Sequence, residues 1–256
     1  MLEGVSLPIG PEWIAVCGAA AFAGGFIRGF VGFGGAVMLI LAVSAVIGPR
    51  EAVAIAALSG LPPMLQLLPA AIRTAERGFA VPFGLASFLG APLGTLTLVS
   101  VAPGVMKIGI AVFVLAMVLL LRSGRSIPLG DSRARIIAAG IGAGWIQGVA
   151  GVAGPPTVAL VLGRGGEPAQ QRANVIGAVT AMNFCSLGPL WWYGLFTREV
   201  IVLALLFVPL YSVGTWLGQR YFTEKGQRLY RQAALAALTG IGLLTLAKAL
   251  ADYWPG

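Results

Sequence analysis

Charge is scarce in this chain. Its 256 residues include 17 Lys and Arg and 9 Asp and Glu, 10% in all, where an ordinary globular domain carries about 25%. A water-soluble fold of this size must cover its surface with polar groups, so the shortage excludes one. Histidine is absent, and the two cysteines, Cys17 and Cys185, both lie in apolar stretches. Metal, haem, thiol-redox and histidine-based chemistry therefore lack their usual residues, and no cofactor, metal or enzymatic role is expected. The first charges are Glu3 and Glu12 rather than a basic segment, Trp13 follows, and no small-residue cleavage site stands out, so a cleaved signal peptide is not expected.

What the chain has instead is apolar surface: 58% hydrophobic residues and a mean hydropathy of +0.90. Glycine accounts for 37 residues, about twice its usual share, which suits close helix packing and broken helices in a membrane. The net charge of +8 comes from basic residues at the ends of apolar runs. That placement reads as membrane topology, not as a nucleic-acid surface. The partner implied is the lipid bilayer.

Apolar stretches cover about 13–30, 36–48, 52–71, 79–101, 105–121, 135–149, 155–163, 172–192, 199–220 and 229–250. A crossing needs ~20 residues, and a helix from Pro155 to Gly163 rises only ~13 Å. That run is read with its predecessor as a hairpin, about 135–163, that dips into the bilayer and returns.

The same shape occurs earlier, over about 13–48. Gly25 to Gly35 (GFIRGFVGFGG) aligns with Gly144 to Gly154 (GWIQGVAGVAG) at a constant offset of 119, with four glycines and one isoleucine identical. Pro49 falls on Pro168 at that offset, and Gly90 and Gly94 answer Gly214 and Gly218 at an offset of 124. The expected architecture is an all-α polytopic membrane protein of two inverted repeats, 1–125 and 126–256. Each is a glycine-tipped re-entrant hairpin followed by three helices: about 52–71, 79–101 and 105–121, then about 172–192, 199–220 and 229–250. The polar linker from about Arg122 to Arg135 joins them.

Three crossings per half invert the second half relative to the first. One side then holds twelve basic residues, Arg73, Arg77, Arg122, Arg125, Arg133, Arg135, Arg164, Arg172, Arg220, Lys225, Arg228 and Arg231. The other holds Arg50, Lys107, Arg198 and Lys248, with Arg28 left over in a hairpin. The richer side is cytoplasmic by the positive-inside rule, which puts both termini outside. Trp13, the Trp191–Tyr193 cluster and the Tyr253, Trp254 pair then form an outer aromatic belt.

Paired broken hairpins imply a site at the midplane. Helices starting near Ala36 and at Pro155 would point their amino-terminal ends inward, offering free N–H groups and partial positive charge to an anion. Gly32, Gly34, Gly35, Gly151 and Gly154 leave the backbone open to a ligand, and Pro155 suits a helix first turn. Arg28 costs about 2.5–3.5 kcal/mol to bury mid-membrane and so reads as functional, unless it pairs with a carbonyl or reaches outward. Its repeat partner is neutral Gln147. Ser59, Gln66, Thr180 and Asn183 can donate either to an oxyanion or to neighbouring helices. Trp145 either walls the site or packs outward, and the GxxxG pairs are assigned to packing. Mid-helix carboxylates are missing, which disfavours a cation site or proton relay.

The two tips, GFIRGFVGFGG and GWIQGVAGVAGPP, in halves of this length, resemble the TauE/SafE (sulfite exporter) family of membrane permeases over essentially the whole chain. The first tip departs from the family pattern in reading GFGGA, where Ala36 narrows access to the backbone. The resemblance implies a secondary transporter in a bacterial-type inner membrane for a small sulfur-containing anion such as sulfite or an organosulfonate. The expected mechanism is alternating access, with the anion held by both tips and Arg28. An anion channel, or a transporter of another small organic anion, is the alternative.

Overall fold

The computed structural model describes residues 10–122 and 132–222, with Ala236 alone beyond them. The linker residues 123–131, the expected last helix at 229–250, Arg125, Lys225, Arg228, Arg231, Lys248, Tyr253 and Trp254 lie outside the described residues. All regular structure among the described residues is helical: α1 (Pro11–Val31), α2 (Gly35–Ser44), α3 (Pro49–Ser59), α4 (Leu61–Thr74), α5 (Arg77–Ser100), α6 (Pro103–Arg122), α7 (Arg133–Ala150), α8 (Gly154–Arg164), α9 (Pro168–Trp192) and α10 (Arg198–Arg220). By length and composition α1, α5, α9 and α10 can each cross a membrane, and α3 with α4 forms a bent apolar pair, a broken span or a re-entrant loop. Leu85, Leu89 and Leu93 on α5 and Leu205 and Val213 on α10 are exposed. Apolar surface of that extent is stable only against lipid or another apolar partner.

One expected helix is divided. The stretch read as a single helix over 52–71 is α3 and α4, bent by 48° at Gly60. The sequence after the break is Leu61-Pro62-Pro63, with proline in the second and third positions of α4. Proline cannot donate the N–H that would close the preceding turn, and it crowds the residue before it. The corresponding stretch of α9 reads Val179-Thr180-Ala181-Met182, and α9 is continuous over 25 residues.

Glycine sets the helix pairing. A β-carbon on Gly25 or Gly29 of α1 would overlap the carbonyl oxygens of Tyr211 and Thr215 on α10, and one on Gly214 or Gly218 would overlap those of Phe22 and Phe26. Residue numbers rise together along this interface, so α1 and α10 run parallel. α7 and α5 pair in the same way: Gly144 and Gly148 meet the carbonyls of Ser87 and Ala91, while Gly90 and Gly94 meet those of Ile141 and Trp145. Each contact in one interface maps onto the other by the offsets of 119 and 124 seen in the sequence. Small residues let backbones approach this closely, and dispersion replaces the hydrophobic driving force that lipid does not provide.

Arginines tie the helix ends together. Arg172 of α9 donates to the carbonyl oxygens of Gly29 and, at 3.0 Å, Phe30, covering the partly negative end of α1. Arg50 of α3 donates to Val99 O at 2.5 Å and Val101 O at 3.3 Å at the end of α5. Arg164 at the end of α8 bridges to Glu76, before α5, at 2.6 Å.

Among the described residues the interior is two large apolar clusters and a smaller one, and both large ones draw on both halves of the chain. Val31 and Phe33 from the first tip pack with Ala153 of the second and with α5, α8 and α9, whereas Ala150 and Val152 pack with α2, α3 and α10.

Candidate functional site

Both tips are built by the same local rule. α1 ends at Gly32, with φ at 95°, whose N–H donates to the Arg28 carbonyl at 2.7 Å; Gly34, with φ at 89°, precedes α2. α7 ends at Gly151, with φ at 66°, whose N–H donates to the Gln147 carbonyl at 2.8 Å, and α8 begins at Gly154. Left-handed backbone stops a helix cheaply only at glycine. The tips touch: a β-carbon on Gly154 would lie 3.1 Å from the Phe33 ring, and one on Gly151 would lie 2.8 Å from Ile40. The first residues of α2 and α8, Gly35 and Gly154, are both buried.

The two helix starts differ in the backbone donors they offer. Pro155 and Pro156 supply no N–H at the start of α8, and the Thr157 N–H is taken by the Ala153 carbonyl at 3.2 Å. Only Gly154 remains to donate. No side chain caps α2, whose first residues Gly35, Ala36 and Val37 all carry N–H groups. An unpaired helix start inside a protein is a standing demand for an acceptor.

The side chains sharpen the contrast. Gln147 turns its amide oxygen onto its own tip, accepting the Ala153 N–H at 3.3 Å. Arg28, at the equivalent position, is 1% exposed, and among the described residues its Nε and Nη2 have no hydrogen-bond partner. These two nitrogens share one edge of the guanidinium, where parallel N–H bonds match two oxygens of one anion. A β-carbon on Gly35 would lie 3.0 Å from Cβ of Arg28 and 2.5 Å from Oη of Tyr211, itself fully buried and without a partner among the described residues. Tyr211 escaped the sequence reading. A hydroxyl in the middle of an apolar helix was the available signal, the one that singled out Ser59.

The remaining predicted residues lie elsewhere. The Ser59 hydroxyl is within 2.7 Å of the Ile55 carbonyl and 3.2 Å of the Ala204 carbonyl, and Asn183 donates to the Ala57 carbonyl at 3.1 Å. Both join helices. Gln66 is exposed on α4, outside the tips. Thr180 is buried with Oγ1 unpartnered. Pro155 is buried in the first turn of α8. Trp145 is exposed and donates to the Thr97 hydroxyl at 3.3 Å, which makes it a packing residue between α7 and α5.

The family model described as Sulfite exporter TauE/SafE matches residues 17–245. No curated protein and no solved structure matches the chain. The match spans α1 to α10 and extends past both glycine tips, so this multi-pass membrane protein belongs to the sulfite exporter TauE/SafE family of transporters.

Proposed function

We propose that this protein carries a small sulfur-containing anion, sulfite or an organosulfonate, across a bacterial-type inner membrane by alternating access. The carrying observation is Arg28: a guanidinium edge buried without a partner, whose side chain leaves α1 beside the uncapped start of α2. An isolated buried charge costs several kcal/mol unless a counter-ion arrives. The second tip, short of N–H donors, closes the site from the other side through Phe33 and Gly154. Gly32, Gly34, Gly35 and Arg28 carry the binding in this reading, while Gln147, Gly151, Gly154 and Pro155 shape the opposing wall.

Alternating access requires two halves that rock about a shared site. The duplicated glycine interfaces support that assignment, with repeats over 1–125 and 126–256. The parallel pairing of α1 with α10 and of α7 with α5 agrees with inverted halves: if α1 and α10 enter from outside, α7 and α5 leave from inside. Twelve basic residues against four give the orientation, with both termini outside.

Thermal stabilisation of the purified protein by sulfite, sulfonates, sulfate, carboxylates and chloride tests the reading, with Arg28→Gln alongside. A sulfonate- or sulfite-selective shift that vanishes in the variant supports it. No shift in folded wild-type protein overturns it.

A further inference from the structure

We infer that Tyr211 is the residue that distinguishes three-oxygen sulfur anions from carboxylates, an inference that rests on the anion-site reading above. α10 brings Tyr211 to the site from the second half of the chain. Its ring packs against Gly25, where a β-carbon would lie 2.8 Å from Cδ2, and its hydroxyl stands over Gly35, the first residue of α2. The glycines at 25 and 35 make room for it: a side chain at either position would displace the ring or the hydroxyl.

The hydroxyl is fully buried and, among the described residues, has neither a donor nor an acceptor to meet it. A buried tyrosine ordinarily finds a partner for its O–H. Arg28, whose Nε and Nη2 are likewise unpartnered among the described residues, leaves α1 with its Cβ against the same Gly35. The edge of Arg28 made of Nε and Nη2 takes two oxygens of one anion, the most it can hold in a single plane. A carboxylate is then used up, since both its oxygens are engaged. A sulfonate or sulfite keeps a third oxygen out of that plane, and the Tyr211 hydroxyl is a neutral donor available to receive it. Discrimination of this kind is strong because the hydroxyl is left unpaired when the wrong anion binds.

The test compares methanesulfonate with acetate, which share a methyl group and differ in the number of acceptor oxygens. Affinities of both are measured on the full chain in detergent or nanodiscs, for wild type, Tyr211→Phe and Arg28→Gln. Tyr211→Phe removes one oxygen that bonds to nothing in the protein, so its unliganded melting temperature should match wild type. The variant should bind methanesulfonate roughly ten- to hundredfold more weakly, the span of a hydrogen bond to a charged group, and acetate unchanged. An equal loss for both anions would make Tyr211 a wall rather than a reader, and undiminished methanesulfonate binding would remove it from the site; either result overturns the inference. If instead Arg28→Gln binds methanesulfonate as well as wild type does, the anion-site reading itself fails.

Discussion

Arg28 and Gln147 stand at the same place in the two hairpins, each with its carbonyl accepting the N–H of the glycine that ends its helix, at 2.7 and 2.8 Å. Their side chains do opposite things. Gln147 satisfies the backbone of its own tip, whereas Arg28 leaves Nε and Nη2 unpaired. One tip is thus complete in itself, and the other keeps two buried donors unpaired among the described residues.

Arg28→Gln should therefore fold at least as well as wild type when no anion is present, because an unpaired buried charge is removed. Ligand at ~100 times its dissociation constant stabilises wild type by ~2.7 kcal/mol, and that increment should disappear in the variant. Melting curves with and without sulfite check both halves of the statement.

Gln147→Leu should behave in the reverse way. It strips the Ala153 N–H of its partner, at a cost of about 1–3 kcal/mol for a buried donor left unmade. Anion affinity per folded molecule should change little. Reversible unfolding in mixed detergent, followed by ligand titration of the folded fraction, separates the two effects.

α7 offers a matched pair of glycines. A β-carbon at Gly144 would run into the Ser87 backbone, while one at Gly142 meets nothing within 4 Å. Gly142→Ala should gain about 0.5–1 kcal/mol from helix propensity. Gly144→Ala should force α7 away from α5 and lose folded protein, as monodispersity on size exclusion would report.

Arg172→Met keeps the length and apolar stem of the side chain but abandons the carbonyls of Gly29 and Phe30. The expected loss is about 1.5–3 kcal/mol, as for hydrogen bonds from a charged donor. Arg172→Lys should restore only part of it, since one ammonium cannot reproduce the guanidinium fork.

Orientation is open to single-cysteine labelling in a background lacking Cys17 and Cys185. Glu12 and Arg198 should react from outside, and Arg77 and Glu167 from inside; all four are exposed. Reaction of Glu12→Cys and Arg77→Cys from the same side would refute the proposed topology.

Much of the helical framework was legible because the bilayer sets one length scale and proline and glycine punctuate it. The expected 199–220 is α10 at Arg198–Arg220, and 155–163 is α8 at Gly154–Arg164. The division at Gly60 was written in Gly-Leu-Pro-Pro, and a hydropathy run conceals it because proline and glycine do not interrupt apolarity. Among the polar candidates, Ser59 and Asn183 were indistinguishable in sequence from ligand donors. Their use is set by which carbonyl of a neighbouring helix lies within reach.

The sequence alone determined the membrane class, the positions of the glycine tips and the duplication, since each follows from composition or local spacing along one chain. Only the tertiary structure decided that Tyr211 stands over Gly35, that the two tips meet at Phe33 and Gly154, and that the start of α8 offers fewer N–H donors than that of α2. Those are matters of which distant surfaces meet. Parallel glycine seams bring α10 against α1, and no property of Tyr211 in its own helix announces the glycines it will be buried against.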